Sequence, residues 1–425
     1  TEFKKNCDVS YELDLFNKTH FEQLFDSLVD AQITDVIRLY ANDKDANTTA
    51  YLSQDIAVST LYMVQTLLQF IRESRATQNE FITPALWLVT QGVQDVSLSA
   101  PVNLSHSTIW GMGRVIQTEH PELHCQLLDV SASVSEGWVV ELSHHLQSNQ
   151  VLSENQQVIR DGVRFVGRLV KAEVSDESIP AFSFTGTVVI TGGLSGIGYK
   201  LCEDLVEQGV KSIALIQRSE PTADHILQFK EWGSQGCVVK AFSCDVGQHD
   251  HLLSTFESVI TQLGDIKSLF HCAGRIDDAV LMNQTAESIE SVFNAKVRGS
   301  WNLHQVSLTL SLKLDHFVLF SSVSSVVGSG GQLNYAAANS FMDALAHYRC
   351  QVDLPALSLN WGLWSDVGMG LDVLDNVEKR GIRSIEPKLG LKALSLLLAE
   401  EKHLAQVVVA PFNFSQMRQL FVQYP

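Results

Sequence analysis

The stretch Thr187–Gly198, TVVITGGLSGIG, constrains the fold more than any other part of this chain. Its first four residues are β-branched and suit a buried strand. A glycine-rich loop follows, Thr191-Gly192-Gly193-Leu194-Ser195-Gly196-Ile197-Gly198, and then Ile197, Leu201 and Leu205 at helical spacing. A strand passing into a helix through such a loop implies a βαβ unit and a parallel sheet. The glycines let the backbone turn tightly and approach a pyrophosphate, while the helix start offers free N–H groups and a partial positive charge. The next strand, 212–216, ends in Gln217-Arg218-Ser219. An acidic residue at this place would hold a ribose 2′-hydroxyl; Arg218 instead suits a 2′-phosphate and so favours NADPH over NADH. A third strand, 238–242, leads to Cys244-Asp245-Val246, which puts Asp245 in reach of an adenine amino group. A fourth, 268–271, leads to Cys272-Ala273-Gly274, a small-residue turn against which ribose and nicotinamide can lie.

A second stretch supplies reactive groups. His316–Asn339 begins as a buried strand, 316–320, continues through Ser321, Ser322, Ser324 and Ser325 and a glycine-rich turn, and reaches Tyr335 and Asn339. Residues four apart share a helix face, so a hydroxyl cluster meets a phenol and an amide, an arrangement suited to delivering a proton to a bound oxygen. Spacing does not choose among the four serines; alternation only puts Ser321 and Ser322 on opposite strand faces. Upstream lie Arg275, Ile276, Asp277 and Asp278, then a helix carrying Lys296. Asp277 and Asp278 are neighbours on an irregular segment and do not read as an acid/base dyad.

The first half repeats the strand–helix alternation without a phosphate loop. Strands are expected at 34–40, 85–90 and 126–130, helices at 55–73, 107–118 and 136–146, and a hairpin at 157–169 turning at Asp161-Gly162. Residues 1–30 are weakly patterned. Gly111-Met112-Gly113 falls within helical periodicity and reads as close helix packing. His106, His120, His124, His144 and His145 form no zinc-ligand pattern, and Pro121 separates His120 from His124. Residues 171–184 are polar with a proline and read as a linker.

Composition narrows the classes. A formal charge of −18 argues against nucleic acid or an anionic membrane as partner. The seven cysteines are dispersed, as in a reduced cytoplasmic protein. The start TEFKKNCDVS lacks the apolar core of a signal peptide, and no apolar run has membrane-span length. A chain of 425 residues beginning at Thr1 reads as a two-domain piece of something longer.

Taken together, these residues resemble the short-chain dehydrogenase/reductase superfamily and, more narrowly, the ketoreductase domain of modular polyketide synthases. The usual short-chain enzyme has lysine four residues after its tyrosine; here Asn339 stands there, and a lysine appears upstream in Asn294-Ala295-Lys296-Val297-Arg298-Gly299. That exchange marks synthase ketoreductases. Phe317-Val318-Leu319-Phe320-Ser321-Ser322 and Leu359-Asn360-Trp361-Gly362-Leu363-Trp364 also match, as do ALWLVTQG at 85–92, Trp110-Gly111-Met112-Gly113-Arg114 and Glu119-His120-Pro121-Glu122-Leu123. The match spans most of residues 80–415, with 1–79 resembling the family poorly.

The resemblance implies an α/β fold of two Rossmann-like subdomains. One is truncated, structural and cofactor-free (1–175); the other is a catalytic, doubly wound parallel sheet (185–425). It implies NADPH-dependent reduction of a β-ketoacyl chain, carried on the phosphopantetheinyl arm of an acyl carrier protein beside the synthase's other domains. Tyr335 is then the proton donor, Ser322 a second donor to the carbonyl, Lys296 the nearby cation and Asn339 its orienter or a water carrier. Thr191–Gly198, Arg218, Ser219, Asp245, Val246, Ala273 and Gly274 hold the cofactor. Ile276-Asp277-Asp278 resembles the Leu-Asp-Asp fingerprint of B-type enzymes, with Ile276 a departure; Asp278, Asp277 and Gln332 fall to substrate and stereocontrol. The A-type tryptophan is absent, with Val327 in its place, and Ala337 stands where an epimerising subtype has proline. A D-configured β-hydroxyl without epimerisation follows. Residues 365–385 are expected to form a mobile lid. A catalytically silent structural module and a stand-alone ketone reductase are the competing readings.

Overall fold

The computed structural model describes all residues except 1–2, 8–9, 41–48, 79, 97–101, 132–138, 140–142, 144–153, 173–183, 369–380, 401–403 and 421–425. Most of the expected helix at 136–146, of the linker at 171–184 and of the lid at 365–385 falls outside the described residues, as do His144 and His145. The chain forms two units: residues 1–169 with 277–290 and 327–344, and residues 170–276 with 291–326 and 345–425.

The first unit opens with a small antiparallel hairpin, β1 (Lys4–Cys7) and β2 (Ser10–Glu12), and a helix, Lys18–Asp26, in the stretch that shows little pattern in sequence. Its main sheet runs β3 (Asp35–Leu39), β4 (Ala85–Gln91), β5 (Gln126–Val130), β6 (Gln156–Arg160) and β7 (Val163–Val166), in spatial order 3-4-5-6-7. All neighbours are parallel except β6 and β7. Asp161 (φ 50°) and Gly162 (φ 76°) make the turn between those two, the paired positive φ of a type I′ hairpin. Helix Thr49–Thr77 extends well beyond the expected 55–73, burying Leu61, Val64 and Leu67 completely. Helix Thr108–Glu119 lies alongside it.

Just past β4 the backbone donors of this unit are engaged within the protein. The backbone N–H groups of Val93 and Gln94, just past β4, donate to the buried carboxylate of Asp129 at 2.9 and 3.0 Å. Thr90 Oγ1 donates to the same carboxylate at 2.7 Å, and Arg160 pairs with it. The buried Asp129 side chain thus ties the turn after β4 to β5 and β6.

The second unit is a seven-stranded parallel sheet: β8 (Thr187–Thr191), β9 (Ser212–Gln217), β10 (Val238–Ser243), β11 (Ile266–His271), β12 (His316–Ser322), β13 (Leu357–Trp361) and β14 (Gln406–Val409). The spatial order is 10-9-8-11-12-13-14. Every pairing is parallel. This is a doubly wound fold whose chain direction switches between β8 and β11, where such sheets bind ligands. Central strands buried on both faces read as unbroken apolar runs, as Val188, Val189, Ile190, Leu269 and Phe270 do.

Candidate active site

At the switch point, β8 ends in the glycine loop. Gly192 has φ 69° and Gly196 φ 57°, the left-handed region that favours glycine. A Cβ on Gly192 would stand 2.9 Å from the Ala273 backbone, so the loop packs directly on the turn after β11. Ser195 precedes the Gly196–Glu207 helix with an extended backbone and makes no side-chain cap, which leaves the first-turn N–H groups to a ligand. Leu194 N–H donates to Gln217 Oε1 at 2.9 Å, and Gln217 Nε2 donates to Ser219 Oγ at 2.7 Å. Gln217 thus couples the loop to Ser219, next to the exposed Arg218. The loop therefore fits a pyrophosphate. Gly198→Ala places a methyl 2.4 Å from the Gly192 carbonyl oxygen. Overpacking of this kind costs about 1–3 kcal/mol, so dinucleotide affinity is expected to fall roughly ten- to hundredfold, as fluorescence titration will measure.

Asp245 lies at the end of β10, half-buried. It accepts from Gly247 N–H at 2.9 Å and from Asn294 Nδ2 at 3.1 Å, so Asn294, which sequence reasoning passed over, orients it. Asn302 Nδ2 donates to the Val246 carbonyl at 2.9 Å and fixes the adjoining backbone.

A buried relay joins the cofactor loop to the lysine. Ala273 N–H donates to Thr191 Oγ1 (3.3 Å), and Thr191 Oγ1 lies 2.7 Å from His271 Nδ1. His271 Nε2 lies 3.1 Å from the Ala295 carbonyl, which can only accept, so the neutral ring carries its proton on Nε2 and takes the threonine hydroxyl's on Nδ1. Burial first, and then the Lys296 ammonium, push the imidazole down to about 3. Burial also holds the neighbouring Cys272 thiol well above the ordinary range, opposed by Lys296.

Lys296 sits in a single π-helical turn, Asn294–Arg298. Such turns re-aim side chains at functional sites. The side chain is 2% exposed, and its Nζ donates to the Phe320 carbonyl at 3.1 Å. Phe320 stands two residues before Ser322 on β12. Of the four serines there, Ser321, Ser324 and Ser325 are buried, and Ser322 alone is half-exposed. Asn360 Nδ2 ties down Ser321 Oγ (3.1 Å) and Ser325 Oγ (2.8 Å), while Ser322 Oγ accepts from Ser324 N–H at 3.2 Å.

Tyr335, Asn339, Asp277, Asp278 and Gln332 belong to the other unit. Tyr335 is the one half-buried residue within 333–340 of the Leu333–Gln351 helix. Asn339 is fully buried, and its Nδ2 donates to the Tyr335 carbonyl at 2.8 Å. Asn334, absent from the sequence reading, accepts from Tyr335 N–H at 2.7 Å and donates to the Asp277 carbonyl at 2.8 Å. Gln332 Nε2 donates to Asp278 at 2.9 Å. Desolvation by surrounding protein raises the Asp278 carboxyl, Gln332 opposes that, and Asp277 adds to it. Gly111 packs as expected from its periodicity: a Cβ there would stand 2.3 Å from the Ala336 carbonyl oxygen. Among the described residues no group of three or more His, Cys, Asp or Glu is arranged to hold a metal, and no helix is long and apolar enough to cross a membrane.

Residues 186–366 match the family described as the KR domain, and residues 16–169 match the Rossmann-fold domain of the polyketide synthase extender module SpnB. The chain belongs to the ketoreductase-domain family of polyketide synthases. Polyketide synthase GfsA of Streptomyces halstedii is 34% identical over 291 residues, 68% of this chain and 4% of that protein. The chalcone synthase cfoA of Aspergillus candidus is 35% identical over 320 residues, 73% of this chain and 11% of that protein. The ketoreductase thus spans a small part of either relative. An A-type ketoreductase from a modular polyketide synthase superposes with a TM-score of 0.81 at 26% identity, covering 96% of this chain and 85% of that one. The first ketoreductase of the tylosin synthase gives 0.79 at 28% identity over 96% and 85%. The match from residue 16 corrects the expectation that 1–79 resemble the family poorly; β3, the first strand of the five-stranded sheet, lies in that stretch.

Proposed function

We propose that this ketoreductase reduces a β-ketoacyl thioester, borne on an acyl carrier protein, to a D-β-hydroxyacyl thioester with NADPH, as a domain of a cytoplasmic synthase. The observation that carries the reading is Lys296: a buried ammonium on a π-turn, hydrogen-bonded beside Ser322 at the end of β12. Bound NADPH supplies the hydride. The chain's own groups hold and protonate the oxygen. Tyr335 donates the proton from its phenol hydroxyl. Ser322 donates a second hydrogen bond; its partial exposure singles it out from its three buried neighbours. Lys296 supplies positive charge for the developing alkoxide. Asn339 steadies the helix backbone at Tyr335. In this reading 1–175 is the cofactor-free half and 185–425 the catalytic one.

The stereochemical reading rests on Asp278, which Gln332 holds, and on Val327 where A-type enzymes have tryptophan. The test is NADPH oxidation with a β-ketoacyl N-acetylcysteamine or carrier-bound thioester, followed by chiral analysis of the product. Reduction to the D-alcohol is expected. Absence of NADPH oxidation overturns the activity, and an L-alcohol as major product overturns the stereochemistry. Arg218→Ala removes charge-assisted hydrogen bonds worth about 1.5–3 kcal/mol, so the preference for NADPH over NADH is expected to shrink roughly ten- to hundredfold in paired kcat/KM measurements.

A further inference from the structure

Glu119 ends the Thr108–Glu119 helix, a place where the helix dipole disfavours a carboxylate. Two backbone donors offset that cost. Glu119 Oε1 accepts from Gly331 N–H at 2.7 Å, and Oε2 accepts from Leu281 N–H at 2.8 Å. These N–H groups belong to separate segments, distant from Glu119 in sequence. One segment leads from Asp278, the other into the Tyr335 helix. Between the two clamped points the segments pair directly. Ala279 N–H donates to the Gly331 carbonyl at 2.9 Å, Ala279 bridges Gln332, and Gln332 donates to Asp278.

A second side chain holds the same segment from another helix. Gln65 Nε2 donates to the carbonyls of Leu281 and Gln284, both at 2.9 Å, and its Oε1 accepts from Lys18 Nζ at 2.9 Å. The helix that ends in Glu119 also carries Gly111, packed against the Ala336 carbonyl next to Tyr335. One helix therefore touches the Tyr335 helix at its first turn and ties that helix's leading turn to the Asp278 segment. All of these residues lie within the first unit.

We infer that Glu119 is a positioning residue: its carboxylate sets the register between the Asp278–Gln332 pair and Tyr335, and through it the stereochemical outcome. The inference rests on the roles proposed above for Asp278 and Tyr335. It gives the cofactor-free half a part in selectivity beyond support.

The test uses the whole chain with NADPH and a β-ketoacyl N-acetylcysteamine thioester. Glu119→Gln is isosteric, but its amide can accept from only one of the two N–H groups and sets a donor against the other. Misplacement of a reacting group by about 1 Å costs up to about a hundredfold, so kcat is expected to fall about tenfold or more. The share of the minor alcohol is expected to rise, with NADPH affinity by fluorescence unchanged. Wild-type kcat and product ratio in the variant overturn the inference. So does a loss of activity at constant product ratio accompanied by weaker NADPH binding, the signature of a merely structural role. If Glu119→Gln does not fold, Glu119→Asp, one methylene too short to span both donors, is judged by the same readouts. A wild-type protein that fails to oxidise NADPH with the thioester sinks the functional reading itself, before any variant is compared.

Discussion

Tyr335→Phe is expected to lower the rate of β-keto reduction by about 10²–10⁴-fold, the usual worth of a positioned proton donor. Dinucleotide affinity and thermal stability should stay close to wild type. The substitution removes one oxygen and keeps the ring, so the packing of the half-buried side chain survives. Its backbone does not depend on the hydroxyl. Asn334 accepts the Tyr335 N–H, Asn339 donates to the Tyr335 carbonyl, and Gly111 packs on the next residue's carbonyl. The helix that presents the phenol therefore remains in place while the proton disappears. Single-turnover reduction under saturating NADPH isolates the chemical step from product release. Full activity in the variant would show that another group delivers the proton. A parallel loss of cofactor binding would show that the phenol serves the fold instead.

The elements legible in the sequence share one property: their signal is local. The glycine loop lies between a β-branched run and a helical repeat, β4 carries a compact apolar run, and Asp161-Gly162 has the chemistry of its turn. Tyr335 and Asn339 are readable because helix geometry relates them. What stayed hidden depends on partners far away in the chain. The π-turn at Asn294–Arg298 is one extra residue accommodated within a helix, which no periodicity reveals. His271 reads as the end of an apolar strand until Thr191 and Ala295 are seen on its two nitrogens. Glu119, Gln65 and Asn334 look like ordinary surface polarity, yet each bonds main chain that the fold brings to it. Ser322 could not be separated from its neighbours by spacing, because what distinguishes it is its partial exposure beside three buried serines, two of which Asn360 ties down.

Acid should destabilise the second unit well before most carboxylates titrate, through two buried histidines. His271 is fully buried and His304 is 3% exposed, and both are held to about 3. Desolvation is the larger cause in each, followed by the charge of Lys296 for His271 and of Arg349 for His304. Arg349 Nη1 donates to His304 Nδ1 at 2.9 Å, so a proton on that nitrogen would both lose the bond and face the guanidinium. Tyr348 and Trp301 pack their rings on His304 and offer no compensating carboxylate. In the unfolded chain each imidazole titrates near about 6.5. Between that value and about 3 the unfolded state binds more protons than the folded one, so stability rises with pH across this window and is fully present above it. At pH 5 the loss is about 2 kcal/mol per histidine. Two such losses are a large share of a typical net stability of about 5–15 kcal/mol. Urea unfolding at neutral pH and at pH 5 measures the sum. His304→Asn keeps an acceptor near the Nδ1 position and does not titrate, so the difference between variant and wild type isolates one site from the general relief of charge repulsion that acid brings to an acidic chain. The variant's pH slope is expected to be shallower by about one proton equivalent, about 1.4 kcal/mol per pH unit. Identical slopes in the two proteins would mean that His304 takes up its proton in the folded state, and that the Arg349 contact does not hold it neutral.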